Sequence, residues 1–217
     1  MDYVAALGEA LLAAEPEEKV RVAEALKALE DPRAEAYLLD ALDEPDDHAR
    51  AAVSYALSFV ATTRSEGRLI QLLGDPYFAV RTWAAYGLAH LGSRAAVPRL
   101  IEALHDEEEG VVAAAVSALG DIEDQRAVDP LVELLAGRGH ISGVLLSLGS
   151  IGGPGLAEVV ADYLDYPDAG VRGSALMALR RLPGSVPRVK LERLLEWERD
   201  AVNRGMAEYL TSPRKPC

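Results

Sequence analysis

The sequence predicts an all-α fold: a right-handed α-solenoid of about six two-helix repeats, with a capping helix at each end. Three observations carry this. Ala and Leu dominate a chain that is 50% hydrophobic but only 6% aromatic. That mix favours helices over a β-sandwich, which needs β-branched and aromatic side chains. A Pro-x4-Arg element recurs at Pro16/Arg21, Pro45/Arg50, Pro76/Arg81 and Pro167/Arg172, each time with Val or Ala directly before the Arg. Finally, Leu38, Leu69, Leu100, Leu131, Val160 and Leu191 follow one another at intervals of 31, 31, 31, 29 and 31. Four residues after each stands Leu42, Leu73, Leu104, Leu135, Leu164 or Leu195. Residues four apart share one helix face, so each pair marks the core side of a helix.

In chain order, residues 1–211 read as a single domain. Its units lie at about 14–43, 44–74, 75–105, 106–136, 137–165 and 166–197, and a flexible tail, SPRKPC, occupies 212–217. The first dozen residues form a capping helix. Each unit then holds an A helix followed by a B helix. Unit 1 places them at about 17–29 and 33–42, the second capped by Asp31-Pro32; unit 2 places them at 46–60 and 66–73. In unit 3, Asp75 is read as an N-cap for orphan backbone donors. Pro76 is read as the first helical residue, where its missing N–H costs nothing. This A helix runs to Gly92, which suits a left-handed C-cap, and the B helix runs from about Ala95 to His105. Unit 4, at 108–119 and 126–135, has Glu107 and Val112 in the Pro and Arg places. A second degenerate copy lies near Gly137 to Ser142. Unit 5 has lost both residues and carries seven glycines between Gly137 and Gly155. A glycine inside a helix costs up to about 1 kcal/mol against Ala. Either a small face admits a neighbouring helix, ligand or partner, or the repeat has drifted and is looser. Unit 6 has helices at 169–181 and 187–197, and a last helix at about 198–210 closes the array.

Two short helices cannot bury their apolar face alone, whereas stacked units bury it together. The Arg of each Pro-x4-Arg element is expected to pair with a capping acid of a neighbouring unit. Arg21, Arg50, Arg81 and Arg172, with Asp75 among the acids, would form a ladder that fixes register between units. The plain alternative is a solvated arginine on an exposed helix.

Residues 75–104 read DPYFAVRTWAAYGLAHLGSRAAVPRLIEAL, and residues 106–135 read DEEEGVVAAAVSALGDIEDQRAVDPLVELL. Both resemble the bacterial phycobilisome-lyase-type HEAT-like repeat, DPxxxVRxxAAxALGxxxxxxAVPxLIxAL. The resemblance spans about 15–197. It implies a HEAT-like solenoid acting as a scaffold whose concave side, lined by B helices, binds a partner. Most proteins bearing such repeats are not lyases, so the resemblance weighs on fold more than on function.

Composition excludes several classes. The single cysteine, Cys217, has no internal partner, so a disulfide framework is excluded and a reducing compartment fits. With 35 acids against 22 bases the formal charge is −13, which repels a nucleic-acid backbone. The N-terminus lacks the basic region of a secretory signal, and no apolar run approaches the roughly 20 residues of a membrane span. A cytoplasmic protein is expected. His48, His90, His105 and His140 form no HxxxH and no His-Glu dipeptide. The HEAT-like deoxyhypusine hydroxylases hold a di-iron centre with such His-Glu pairs, so no metal site is expected here. There is no GxSxG and no P-loop, and the glycines at 149, 152 and 153 follow no strand. No cofactor and no catalytic constellation is expected.

Binding surfaces are more legible than chemistry. Aromatics concentrate in units 2 and 3, and Tyr55 and Tyr86 occupy one repeat position while Phe59 and His90 occupy another. Unit 4 holds Ser117 and Asp121 in those places. A position that is aromatic in some repeats and polar in others need not be core, and Tyr and Trp make rigid anchors at interfaces. Packing between helices is the competing reading. The candidate contact set is Tyr55, Phe59, Trp83, Tyr86 and His90. Glu107, Glu108 and Glu109 add an acidic patch whose ordinary role is to complement a helix dipole. Charge is uneven: residues 1–46 carry 13 acids and 4 bases, residues 168–217 carry 6 acids and 10 bases. These features predict a non-enzymatic scaffold or adaptor with a protein partner and neither nucleic acid nor membrane. Oligomeric state stays open, with a monomer as the default. The alternative is a phycobilin lyase-type protein that handles a tetrapyrrole and its client, with Arg81, Trp83 and Tyr86 against the bilin.

Overall fold

The computed structural model describes residues 2–137, 139–182 and 187–212. Every regular element among them is helical: fourteen α-helices joined by turns and short 3-10 segments, with no strand. The chain divides into two compact units, residues 1–118 and 119–217.

The first unit contains α1 (Tyr3–Ala13), α2 (Pro16–Ala28), α3 (Ala34–Asp40), α4 (Asp47–Val60), α5 (Glu66–Leu72), α6 (Phe78–His90), α7 (Val97–Glu102) and the start of α8 (Glu109–Ile122). The A helices α2, α4 and α6 pack side by side, and the B helices α3 and α5 each lie against the next A helix. The capping helix α1 packs on α2 and α3. The predicted leucine pairs Leu38/Leu42, Leu69/Leu73 and Leu100/Leu104 are all buried, together with Leu26, Leu57 and Leu88 from the A helices.

The second unit contains the rest of α8, then α9 (Val128–Ala136), α10 (Ile141–Ile151), α11 (Leu156–Ala161), α12 (Ala169–Arg181), α13 (Arg188–Trp197) and α14 (Ala201–Thr211). Here α10 packs along α12, and α12 against α14. Leu131/Leu135 and Val160/Leu164 are buried, as is Leu191, while Leu195 is half-buried.

Close packing accounts for Gly149 of the glycine-rich fifth repeat and for Gly120 of α8, which faces that repeat. A Cβ on Gly149 would lie 2.7 Å from the Ala178 Cα, and one on Gly120 would lie 2.5 Å from the Ser147 Oγ. No side chain fits between backbones at that separation. The turn between α10 and α11 uses further glycines for their backbone freedom, with Gly152 at φ +68° and Gly155 at φ +79°.

Two boundaries differ from the sequence expectation. Pro76 is not the first residue of a helix: Tyr77 is the N-cap and α6 begins at Phe78. Asp75 therefore does not cap α6 in the expected way; its carboxylate instead accepts the Tyr77 N–H at 2.8 Å across a tight turn. The last helix starts at Ala201 rather than near 198, because Asp200 is its N-cap and accepts the Val202 and Asn203 N–H groups. Gly92 does adopt the left-handed conformation expected of it, at φ +60°. Of the expected tail, Ser212 is exposed and residues 213–217 lie outside the described residues.

Candidate functional site

The interhelical ladder forms at three of its predicted arginines. Arg50 donates through Nε and Nη2 to the Asp75 carboxylate at 2.8 and 2.9 Å. Arg81 binds Asp106 in the same two-pronged way, both bonds at 2.8 Å. Arg172 binds Glu198 at 2.7 and 2.8 Å. The planar fork matches a carboxylate with two parallel bonds, which fixes direction as well as distance. Nη1 of each arginine reaches a backbone carbonyl six residues earlier, at Glu44, Asp75 and Tyr166 respectively, at 2.8, 2.8 and 2.9 Å. One side chain thus closes its own preceding turn and grips the next repeat.

The electrostatics follow from the pairing. The hydrogen-bonded acids hold all three arginines more firmly protonated than usual. Arg172 holds the Glu198 carboxyl down at about 2, against the upward push of burial and with help from the Asp200 N–H. At Asp106 burial pushes the carboxyl up, but Arg81 and the Glu108 N–H together keep it below the usual range.

Arg21 is not part of this ladder. It is exposed, and no ion pair of Arg21 is found among the described residues. Lys19 takes its place and pairs with the buried carboxylate of Glu44. The reason is helix register. Arg50, Arg81 and Arg172 are each the fourth residue of α4, α6 and α12, and in those repeats the Pro stands before the N-cap. In α2 the Pro is itself the first helical residue, so the fourth position falls on Lys19.

A second set of inter-repeat bonds was not anticipated. Buried Glu35, on α3, accepts the Thr62 N–H at 2.8 Å and the Thr62 hydroxyl at 2.9 Å, just beyond the end of α4. One repeat later, the Ser93 hydroxyl donates to Glu66 at 2.6 Å. Both pairs are 27 residues apart, a spacing that would have revealed them in the sequence.

The aromatic candidates converge. Tyr55 and Phe59 on α4 meet edge to face at 5.1 Å between ring centres. Tyr55 lies 4.5 Å from Trp83 on α6, and Trp83 lies 5.7 Å from Tyr86. Lys27 of α2 completes the row. Its Nζ sits 4.3 Å from the Tyr55 ring centre, 5.2 Å from that of Phe59, and donates to the Tyr55 hydroxyl at 2.8 Å. The row therefore crosses three adjacent A helices. Tyr55 and Trp83 are half-buried, whereas Phe59 is 54% and Tyr86 41% exposed. His90 is exposed in the last turn of α6, and no ring contact links it to the row. Tyr77 forms a separate group with Phe78 and with His48, its hydroxyl 3.2 Å from His48 Nδ1.

Glu107, Glu108 and Glu109 are exposed at the head of α8, beside the Arg81–Asp106 rung. There they favour the helix N-terminus, and Glu107 and Glu108 add to the field that keeps Arg81 charged. In the second unit, a groove of about 410 Å³ lies between α9 and α11, where Tyr163 and Tyr166 stack at 6.0 Å. Sequence reasoning missed it, because these tyrosines share no repeat position with the first row. Among the described residues no group of three or more His, Cys, Asp or Glu is placed to hold a metal ion, and no helix is long and apolar enough to cross a membrane.

The chain matches the model for HEAT repeats over residues 65–140 and that for the PBS lyase HEAT-like repeat over residues 19–44. No curated protein sequence matches it. Among solved structures it is similar to the complex of CpcE and CpcF of phycocyanin lyase from Nostoc sp. PCC7120, with a TM-score of 0.64 and 26% identity over 80% of this chain and 74% of that one. An engineered protein shares the fold with a TM-score of 0.63 and 19% identity over 83% of this chain and 98% of that one. So does the archaeal HEAT-like repeats protein from Thermococcus onnurineus NA1, with a TM-score of 0.55 and 18% identity over 97% and 96%. The chain carries HEAT-like repeats, and its all-helical architecture is of the α-solenoid class.

Proposed function

We propose that this HEAT-like repeat chain is a non-catalytic scaffold that binds a protein partner through the aromatic row on α2, α4 and α6. One observation carries the reading: five side chains from three successive A helices form a continuous row whose outer members, Phe59 and Tyr86, remain largely exposed. A core cluster would bury those rings. Preassembled aromatic anchors that lose little conformational entropy on contact are what binding hot spots are made of. The arginine ladder supports the same reading by holding α4 and α6 in fixed register, so the row is presented as a rigid surface.

The test is affinity capture from source lysate with the wild type and with Trp83→Ala/Tyr86→Ala, after helicity and melting of the two have been matched. A partner held by the wild type and lost by the folded double variant supports the reading. Equal recovery by both excludes the row.

The likeness to the CpcE–CpcF complex and the PBS lyase HEAT-like repeat favour one second reading, a bilin lyase-type protein. On that reading Trp83 and Tyr86 would flank the tetrapyrrole. Arg81 has little to offer its propionates, since both prongs of its fork are already on Asp106. A shift in bilin absorbance on mixing, abolished by Trp83→Ala, separates this reading from the first.

A further inference from the structure

The outward face of α14 carries an exposed apolar stripe. Asn203 and Ala207 are buried against the rest of the unit, which turns Val202, Gly205 and Tyr209 away from it. Val202 is 77% exposed and Tyr209 68%.

Gly205 sharpens the point. It sits in mid-helix, where glycine is unfavourable relative to alanine. A Cβ there would meet nothing within 4 Å, so no packing among the described residues accounts for it. One helical position after the fourth residue, the equivalent Gly173 of α12 has α14 against it, where an added Cβ would lie 2.8 Å from Asn203 Oδ1. Gly205 offers the same close approach to something outside the chain.

The charges on this face select the occupant. Arg204 is the fourth residue of α14, the place held by Arg50, Arg81 and Arg172 in their helices. No acid from another repeat meets it among the described residues. Instead Nε reaches Glu208 one turn along the same helix at 3.3 Å, an exposed pair of low energetic worth. Arg204 and Glu208 lie on one flank of the stripe. When two identical helices pair antiparallel across a two-fold axis, like flanks adjoin with their order reversed. With the axis near Met206, each Arg204 faces the other copy's Glu208, and each Val202 lies beside the other's Tyr209. The stripe is self-complementary in charge, and two-fold dimers are the commonest symmetric assembly.

We infer that the outward face of α14 is a self-association surface on which a second copy of this chain docks antiparallel, with Gly205 at the point of closest approach. An 11-residue helix is roughly 16 Å long. A pair that short buries less than the ~1,200 Å² of a standard stable interface. The dimer is therefore weak and reversible.

Sedimentation velocity on the full chain, from about 5 μM to about 1 mM, reads it directly. The expected result is a monomer–dimer equilibrium that Val202→Glu abolishes, with helicity and melting unchanged. Arg204→Glu and Glu208→Arg should each weaken association by roughly tenfold or more, since like charges then face each other twice. An equimolar mixture of those two variants should associate again as a heterodimer, because the charges are complementary once more. That rescue cannot come from a folding defect. A wild type that stays monomeric throughout the range overturns the inference. So does a dimer indifferent to Val202→Glu, or a mixture that shows no rescue.

Discussion

Lys19 and Arg50 hold equivalent places: each is the fourth residue of its helix, and each pairs with an acid 25 residues further on, Glu44 and Asp75. The equivalence predicts a contrast within one helix. Lys19→Ala leaves the Glu44 carboxylate buried without its cation, at a cost of about 2–3 kcal/mol. Arg21→Ala removes an exposed side chain and should change stability by no more than about 0.5 kcal/mol. Urea midpoints of the two variants decide it, and a larger loss for Arg21 would contradict the register assigned to α2.

The Arg172–Glu198 rung predicts an acid-sensitive contribution. The Glu198 carboxyl is held at about 2 in the fold against 4.5 ordinarily. Its contribution is thus complete above about pH 4.5 and is lost as pH falls toward 2, amounting to on the order of 3 kcal/mol. Unfolding of wild type and Glu198→Gln across this range should show their stability difference shrinking as pH falls. A gap constant from pH 7 down to pH 2.5 would mean that the carboxylate is not held this way.

Close packing in the fifth repeat predicts that Gly149→Ala is destabilising. The added methyl meets the Ala178 backbone, which cannot swing aside, and overpacking of this kind costs about 1–3 kcal/mol. Gly110 of α8 has open space around it. Gly110→Ala should stabilise by about 0.4–1 kcal/mol through the unfolded chain alone. If Gly149→Ala were also stabilising, the tight approach of α10 to α12 would be wrong.

The exposed ends of the aromatic row predict that binding separates from stability. Phe59→Ser/Tyr86→Ser should leave the thermal midpoint almost unmoved, within the range of surface changes of about 0.5 kcal/mol each. Partner capture should nevertheless fall. A large drop in melting temperature would show the two rings to be packing residues.

The period was plain in the sequence because each leucine pair serves the same core. Arg50, Arg81 and Arg172 were legible for a related reason: the turn before each helix keeps the same length, so counting from the Pro finds the fourth helical residue. Counting failed at Arg21 because Pro16 moved inside its helix, a change of register that composition does not reveal. The row was half legible. Tyr55 and Tyr86 repeat at one position, but Lys27 sits on the preceding helix and carries no aromatic signature. Pro76 misled because proline is at home both before an N-cap and at the first helical position.

The geometry of the rungs also says how such a chain can change length. The part that can be exchanged is not a helix pair but the stretch from one ladder acid to the next, as from Asp75 to His105: it brings the acid that the preceding arginine needs and an arginine for the acid that opens the following stretch. Excising residues 75–105 removes 31 residues and would carry Asp106 to the distance from Arg50 that Asp75 now holds. Duplication or loss of whole cassettes by recombination therefore leaves every surviving rung intact. A shift of one or two residues between a cation and its acid breaks a rung unless the intervening chain accommodates it; Arg172 and Glu198, 26 residues apart, still meet.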